Sequence, residues 1–183
     1  MVFNSYEFIV IFLPIAFAAV ALAHSIGGWN AAFTVLGLAS LAFYANWGIE
    51  FLGILLVSII SNYVIGSVIT RCRDNKIHSR SLLAIGLLGN LFALGYFKYT
   101  NFFIDVVNQT SGAGFSHLSI ILPIGISFYT FIQIGYLIDA YKGMVKEKSF
   151  VKYFTFASLF PCVTAGPLVL QREIFQQMED RKD

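Results

Sequence analysis

The stretch LPIGISFYTFIQIGYLIDAYKG, from Leu122 to Gly143, places polar side chains inside an otherwise apolar helix. It opens with Pro123 near the first turn, where a missing backbone N–H costs little. It then carries Gln133 and Asp139 in or beside hydrocarbon, where polar groups are expensive and tend to be functional. A basic cluster follows, so we expect this helix to end at a membrane edge.

The composition of the chain indicates a membrane protein. Of its 183 residues, 57% are hydrophobic and 12% are charged, whereas soluble domains carry about a quarter charged residues. The net charge of +2 is too small to indicate nucleic-acid binding. Cys72 lies in a basic loop and Cys162 in an apolar break, so neither a disulfide nor a zinc site is predicted.

Long uncharged runs predict an all-α, polytopic transmembrane protein that forms one membrane domain over residues 1–183. Phe8–Ile49 lacks charge and is long enough for two spans, with a break at His24–Asn30. Because MVFNSYE lacks the positive charge of a signal peptide, we expect the first run to be retained. Five spans are predicted in all, near residues 6–24, 30–47, 51–70, 81–98 and 119–138.

Two further segments are predicted to depart from simple spanning helices. Residues 99–118 are rich in Asn, Ser, Gly and Thr, which favours an extramembrane loop, with a surface helix over Phe102–Val107 as one possibility. Residues 153–171 are uncharged but interrupted by Pro161, Gly166 and Pro167. Broken backbone at membrane depth survives only when it is buried in protein or lines a cavity, so a re-entrant segment is predicted there.

The distribution of Lys and Arg predicts the orientation in the membrane. Arg71–Arg80 carries four positive residues and one Asp, and Lys142–Lys152 carries four positive residues and one Glu. Cytoplasmic loops are enriched in such residues. Three spans precede the first cluster, so the N-terminus is expected outside the cytoplasm, and residues 153–171 must enter and return.

The polar side chains of the fifth span each have two interpretations. Tyr129, Gln133 and Tyr136 share one helical face and either line a polar cavity or bond neighbouring helices, which is the commoner case. Asp139 is either a buried carboxylate that orients a substrate or partner helix, or a water-exposed group at the helix end, which its position slightly favours. Asn62 and Asn90, in other spans, are expected to bond between helices.

No catalytic or metal-binding motif is apparent from spacing. His24, His78 and His117 lie at predicted span ends or in loops, without the Ser, Cys or Asp arrangement of a triad and without metal-ligand spacing. Residue types and spacing therefore leave a transporter, a channel component and a membrane enzyme equally open.

Several motifs nevertheless resemble the membrane-bound O-acyltransferase family, in its bacterial branch of alginate O-acetyltransferases and teichoic-acid D-alanyl transfer proteins. They occur in order over essentially the whole chain, and the LPIGISFY block followed by FP and AGP is the most specific. The matching motifs are MVFNSYEFIVIFLP at the start, FYANW at 43–47, GYFKYTNFF at 95–103, LPIGISFYTFIQIGYLIDAYKG at 122–143 and FPCVTAGPLVLQREIFQQ at 160–177.

The resemblance implies a bacterial inner-membrane enzyme with a funnel through a many-helix fold. Such an enzyme takes an acyl group, typically acetyl, from a cytoplasmic thioester, either acyl-CoA or an acyl carrier protein. It passes that group to a hydroxyl of an extracytoplasmic polysaccharide or similar acceptor, with an extracytoplasmic acyl-transfer partner in some cases. The thioester is a co-substrate, and no bound cofactor or metal is implied.

The resemblance also implies that this chain is the N-terminal portion of a longer enzyme. The family's catalytic histidine belongs to a later segment beyond Asp183, so no histidine here takes that role and the chain is expected to be inactive on its own. The alternatives are a non-catalytic scaffold, a pore-like module or the partner of a separately encoded C-terminal half. The candidate funnel or motif positions are Gln133, Tyr136, Asp139, Pro161, Gly166 and Pro167, and none of them is given a catalytic role.

Overall fold

The computed structural model describes residues 5–112, 114–145 and 149–160, and every regular element within them is helical. Within these ranges, three helices are long and apolar enough to cross a membrane: Glu7–Ala45, α2 and α3. The prediction of an all-α polytopic membrane protein is therefore confirmed. The elements are a π-helical stretch Glu7–Phe12 that continues into α1 (Leu13–Ala45), then α2 (Ile49–Arg71), α3 (Lys76–Ser111), α4 (Ile126–Lys142) and α5 (Phe150–Ser158).

The first helix folds back on itself at Gly28. This residue has φ 67° and ψ −162°, a conformation that glycine adopts far more easily than residues with a Cβ. The rings of Phe8 and Phe43 lie 5.3 Å apart, although a straight helix would separate these residues by about 52 Å at 1.5 Å per residue. Residues 7–27 and 29–45 are therefore two antiparallel apolar passes, and their junction lies inside the break predicted at His24–Asn30.

Helix α3 is longer than the sequence suggested. The predicted span ends near residue 98 and a loop was expected over 99–118, but the helix continues to Ser111. Thr100 and Thr110 bond carbonyls one turn back, at 2.7 and 2.8 Å, so these polar side chains are satisfied within the helix. The helix ends where Gly112 takes a left-handed conformation, with φ 67°. Its length of about 54 Å exceeds the ~30 Å hydrocarbon core.

A segment without regular structure, residues 114–122, is fastened along the final turns of α3, and we call it the strap. Asn108 donates to the carbonyl of Phe115 at 2.8 Å and accepts from its N–H at 2.7 Å. Asn101 bonds Leu118 in the same two-point manner, at 2.9 and 3.0 Å. Two asparagines two turns apart thus provide side-chain partners for the backbone N–H and carbonyl groups of Phe115 and Leu118.

Removing the side-chain hydrogen bonds of Asn101 and Asn108 is expected to release the strap from α3. In the double variant Asn101→Ala and Asn108→Ala, the amides of Phe115 and Leu118 lose their acceptors, and we expect their hydrogen exchange to accelerate about tenfold, equivalent to one modest hydrogen bond. Mass-spectrometric exchange on the protein in detergent measures this. Thr100→Val is the control, because Thr100 bonds only its own helix. Unchanged hydrogen exchange in the double variant would show that the two asparagines do not hold the strap against α3.

Helix α4 begins and ends at glycines. Gly125, with φ 73°, precedes Ile126, and Gly143, with φ 72°, follows Lys142. The helix therefore starts later than the predicted boundary at residue 119, and Pro123 lies in the preceding turn instead of the first helical turn. The Tyr44 hydroxyl donates to the carbonyl of Ile124 at 2.6 Å, which ties this turn to α1.

Helix α5 packs against the second pass of α1. Gly37 permits this approach, since a Cβ there would lie 2.8 Å from the ring of Phe154. The Thr155 hydroxyl donates to the carbonyl of Phe33 at 2.8 Å. The helix ends at Ser158, and most of the predicted re-entrant segment 153–171, with Pro161, Gly166 and Pro167, lies outside the described residues.

Candidate functional site: a polar network within the bundle

Three carboxamides from three helices meet inside the bundle. The Oε1 atom of Gln133 on α4 accepts from Nδ2 of Asn62 on α2 at 2.6 Å. Asn62 in turn accepts from Nδ2 of Asn90 on α3 at 2.6 Å. Their residues are 0%, 3% and 7% exposed, respectively. The sequence marked these side chains separately as interhelical bonds, and the structure joins them into one network.

Local helix geometry orients the network. Asn62 donates to the carbonyl of Ser58 at 2.9 Å, and Asn90 donates to that of Gly86 at 2.8 Å, each four residues back. The Ser58 hydroxyl donates to Oε1 of Gln133 at 2.6 Å, as a second donor to the same atom. Ser58 was missed in the sequence analysis, although its i, i+4 spacing with Asn62 in an uncharged helix signals a shared polar face.

The network leaves one strong donor unused. Nε2 of Gln133 is buried and has no hydrogen-bond partner among the residues that the structure describes, while Oε1 of the same side chain has two. A buried unsatisfied donor costs about 1–3 kcal/mol. Carboxamides and a hydroxyl do not exchange protons readily near neutral pH, so the network is suited to holding a polar group and not to acid–base chemistry.

The face of α4 that carries Tyr129, Gln133 and Tyr136 points into the bundle. Tyr129 and Tyr136 are 2% and 4% exposed, so this face contacts protein. The ring of Tyr136 lies 4.2 Å from that of Tyr153. The Tyr129 hydroxyl is buried without a partner among the described residues.

Asp139 lies one turn beyond Tyr136, at the basic end of α4, and is 8% exposed. The interpretation of Asp139 as a water-exposed group at the helix end is therefore wrong, because the folded chain buries the residue. At the same end, Nη2 of Arg73 donates to the carbonyl of Lys142 at 3.3 Å. A cation in this position offsets the negative end of the helix dipole.

A groove of about 510 Å³ runs beside the network. Helices α2 and α3 form its walls, and the N-terminal half of α4 contributes Ile126, Tyr129 and Thr130. Ser58, Asn62 and Asn90 also line it, so the polar network borders the groove directly. The rest of the lining consists of Gly53, Ile54, Val57, Ser61, Ile65, Ile85, Gly86, Gly89 and Ala93.

The three histidines lie apart from the network. The ring of His24 packs against Trp29 at 4.4 Å beside the Gly28 turn, and His78 is exposed in the first turn of α3. His117 in the strap bonds Asp105 through Nε2 at 2.6 Å, and both side chains are about half exposed. Over the described ranges, no cluster of three or more His, Cys, Asp or Glu side chains is suited to a metal ion.

The chain is similar to curated bacterial O-acetyltransferases over its whole length. It is 34% identical to the peptidoglycan O-acetyltransferase of Helicobacter pylori, a match that covers 100% of this chain and 40% of that protein. It is 35% identical to the probable alginate O-acetylase AlgI of Azotobacter vinelandii and 34% identical to that of Pseudomonas aeruginosa, each over 99% of this chain and 36% and 35% of the relative. No family model and no solved structure gives a significant match.

Proposed function

The chain belongs to the membrane-bound O-acyltransferase family, and from this premise we propose that it forms the N-terminal part of an enzyme that O-acetylates an extracytoplasmic polysaccharide. It spans 35–40% of the length of the relatives described above. The observation that carries the proposal is the match of the whole chain to proteins named as O-acetyltransferases of peptidoglycan or alginate.

The proposed orientation places the basic end of the bundle in the cytoplasm of a bacterial inner membrane. The α2–α3 turn and the end of α4 meet there, since Arg73 contacts Lys142. Exposed cations at this end suit the positive-inside rule and would attract an anionic thioester donor, either acyl-CoA or an acyl carrier protein. The N-terminal pass then begins on the extracytoplasmic side, where the strap would face the acceptor or an acyl-transfer partner.

Within this enzyme, the described residues would serve to position other groups. The carboxamide network fixes α2, α3 and α4 relative to one another, and its components are neutral. The buried Asp139 would orient a group at the donor side. The general base would come from the family's histidine-bearing segment, so we propose that the 183-residue chain does not transfer acyl groups without it.

An acyl-transfer assay with a radiolabelled acetyl donor tests this proposal. Membranes containing the 183-residue chain are compared with membranes in which the chain is fused in frame to the remaining portion of the Azotobacter vinelandii relative. We expect the fusion to transfer acetyl groups to polysaccharide at a rate at least ~10²-fold above that of the 183-residue chain. This factor is the lower end of the contribution that general-base catalysis makes to a rate. The unfused relative is the positive control. If the 183-residue chain alone transferred acetyl groups at the full rate, our assignment of the chemistry to the later, histidine-bearing segment would be wrong.

A further inference from the structure

An apolar stripe runs along α3 on the side that faces away from the strap. Asn101, Asp105 and Asn108 recur at i, i+4 and i+7 and bond the strap, so they define one side of the helix. The stripe lies on the opposite side, and its side chains are large and more than 40% exposed. It consists of Ile85, Leu88, Phe92, Tyr96, Tyr99 and Phe103, which are spaced three or four residues apart.

The size of these side chains favours contact with lipid over contact with another helix. Membrane helices that pack together place small residues at the contact. Helix α3 follows this rule on its protein side, since a Cβ at Gly86 would lie 2.6 Å from Cδ1 of Leu137. None of the six stripe residues is small, and α3 is long and apolar enough to cross the bilayer. Lipid therefore covers the central part of the stripe.

Distances along α3 indicate where the helix leaves the hydrocarbon. Arg80 precedes the uncharged run 81–97 and marks one edge of the hydrocarbon. At 1.5 Å per residue, Asn101 lies about 32 Å and Asn108 about 42 Å from Arg80 along the helix. The hydrocarbon is ~30 Å thick, and the bilayer with both headgroup regions is ~40–45 Å thick. The turns between the two asparagines therefore cross the headgroup region of the far leaflet.

The strap lies at the same depth, because the side chains of these two asparagines hold it against α3. Phe115, Leu118 and Ile121 of the strap are nevertheless 60%, 49% and 67% exposed. Irregular backbone near hydrocarbon is costly unless its polar groups are paired. The asparagines pair the N–H and carbonyl groups of Phe115 and Leu118, and the N–H of Ile120 donates to the carbonyl of Leu118 at 2.8 Å.

We propose that the strap and the last turns of α3 form an interfacial element, which inserts large side chains into the headgroup region of the leaflet opposite the basic end. Phe103 on α3 and Leu118 and Ile121 on the strap contact lipid there. Asp105 and His117, whose side chains are about half exposed, form the water-facing edge of this element. Exposed aromatic side chains are typical of this depth. The proposal rests on membrane embedding and requires neither acyl transfer nor a particular orientation.

Spin labelling of the 183-residue chain in phosphatidylglycerol nanodiscs tests the depth of the strap. The two native cysteines are replaced by serine, and a single label is attached to Phe103→Cys or Ile121→Cys. Collisions of the label with O₂, which concentrates in lipid, are compared with collisions with a water-soluble nickel chelate. Leu88→Cys, in the central part of the stripe, is the hydrocarbon reference, and Gln109→Cys, exposed beyond Asn108, is the water reference.

We expect the O₂-to-nickel collision ratio at Phe103→Cys and Ile121→Cys to be at least about threefold above that at Gln109→Cys, because water is scarce at that depth. A ratio at either site as low as the water reference would overturn the proposal. Each replaced side chain is exposed, so the variants should fold like the wild type.

The same labels separate lipid from protein as the group that covers this element. They are measured again in the fusion with the remaining portion of the Azotobacter vinelandii relative, where both sites should keep their collision ratio. Loss of collisions with both O₂ and nickel in the fusion would overturn the proposal. That result would show that a later segment of the protein covers the strap and the end of α3.

Discussion

Replacing Gly66 by alanine is expected to separate α2 from α4 and to cost about 1–3 kcal/mol of stability, the usual range for overpacking. A Cβ at Gly66 would lie 2.7 Å from Cζ of Tyr136 and 2.8 Å from its hydroxyl oxygen. The ring has little freedom to move away, because Tyr153 packs against it at 4.2 Å. The steric cost must also exceed the ~1 kcal/mol by which alanine favours a helix over glycine.

The measurement is the unfolding midpoint in a titration of detergent-solubilised protein with dodecyl sulfate, followed by circular dichroism. Gly53→Ala is the matched control, since it lies on the same helix with no atom within 4 Å of its Cβ. The control should be neutral or stabilising. Adding Tyr136→Leu to Gly66→Ala should recover part of the loss. A Gly66 variant as stable as the control would show that α2 and α4 do not depend on this close approach.

Replacing Gln133 by methionine is expected to destabilise the bundle by about 1–3 kcal/mol. Methionine matches the length of glutamine but offers only a weak acceptor, so Ser58 and Asn62 lose the Oε1 atom to which both donate at 2.6 Å. Loss of Nε2, which has no partner in the described part of the chain, offsets part of this cost. The net effect is unfavourable because two satisfied donors are disrupted and one unsatisfied donor is removed.

The same detergent titration measures this change, with Gln109→Met on the exposed side of α3 as the control. The triple variant with Gln133→Met, Asn62→Leu and Asn90→Leu should be more stable than Gln133→Met by about 1 kcal/mol or more. The triple variant leaves only the Ser58 hydroxyl of the network without its partner, whereas Gln133→Met leaves both Ser58 and Asn62 without the Oε1 atom to which they donate. If Gln133→Met were as stable as wild type, the network would have a role other than holding the helices together.

The sequence was most informative where physical chemistry acts locally. The uncharged run Phe8–Ile49 required hydrocarbon surroundings, and a break at His24–Asn30 was visible because it interrupts the run. The structure contains a helical fold and a reversal at Gly28. The family resemblance also came from local motifs, and the whole-chain similarity to named O-acetyltransferases confirms it.

Local patterns failed where a distant partner decides the outcome. The polar composition of residues 99–118 suggested a loop. In the structure, Thr100 donates to a carbonyl of its own helix and Asn108 donates to a carbonyl of the strap, so these polar side chains are compatible with a continuous α3. Position along the chain suggested an exposed Asp139, but the residue is only 8% exposed in the folded chain. Neither result could be read from the residues immediately before and after these positions.

The sequence by itself determined that this chain is a helical membrane protein, because long runs without charge can be stable only in hydrocarbon and must satisfy their backbone groups within helices. It also identified Gln133 as an unusual polar residue at membrane depth. Only the tertiary structure decided that Gln133 bonds Asn62, that Asn90 completes the network, and that a groove opens beside it. Those contacts join residues up to 71 positions apart, and such pairing depends on how the helices pack.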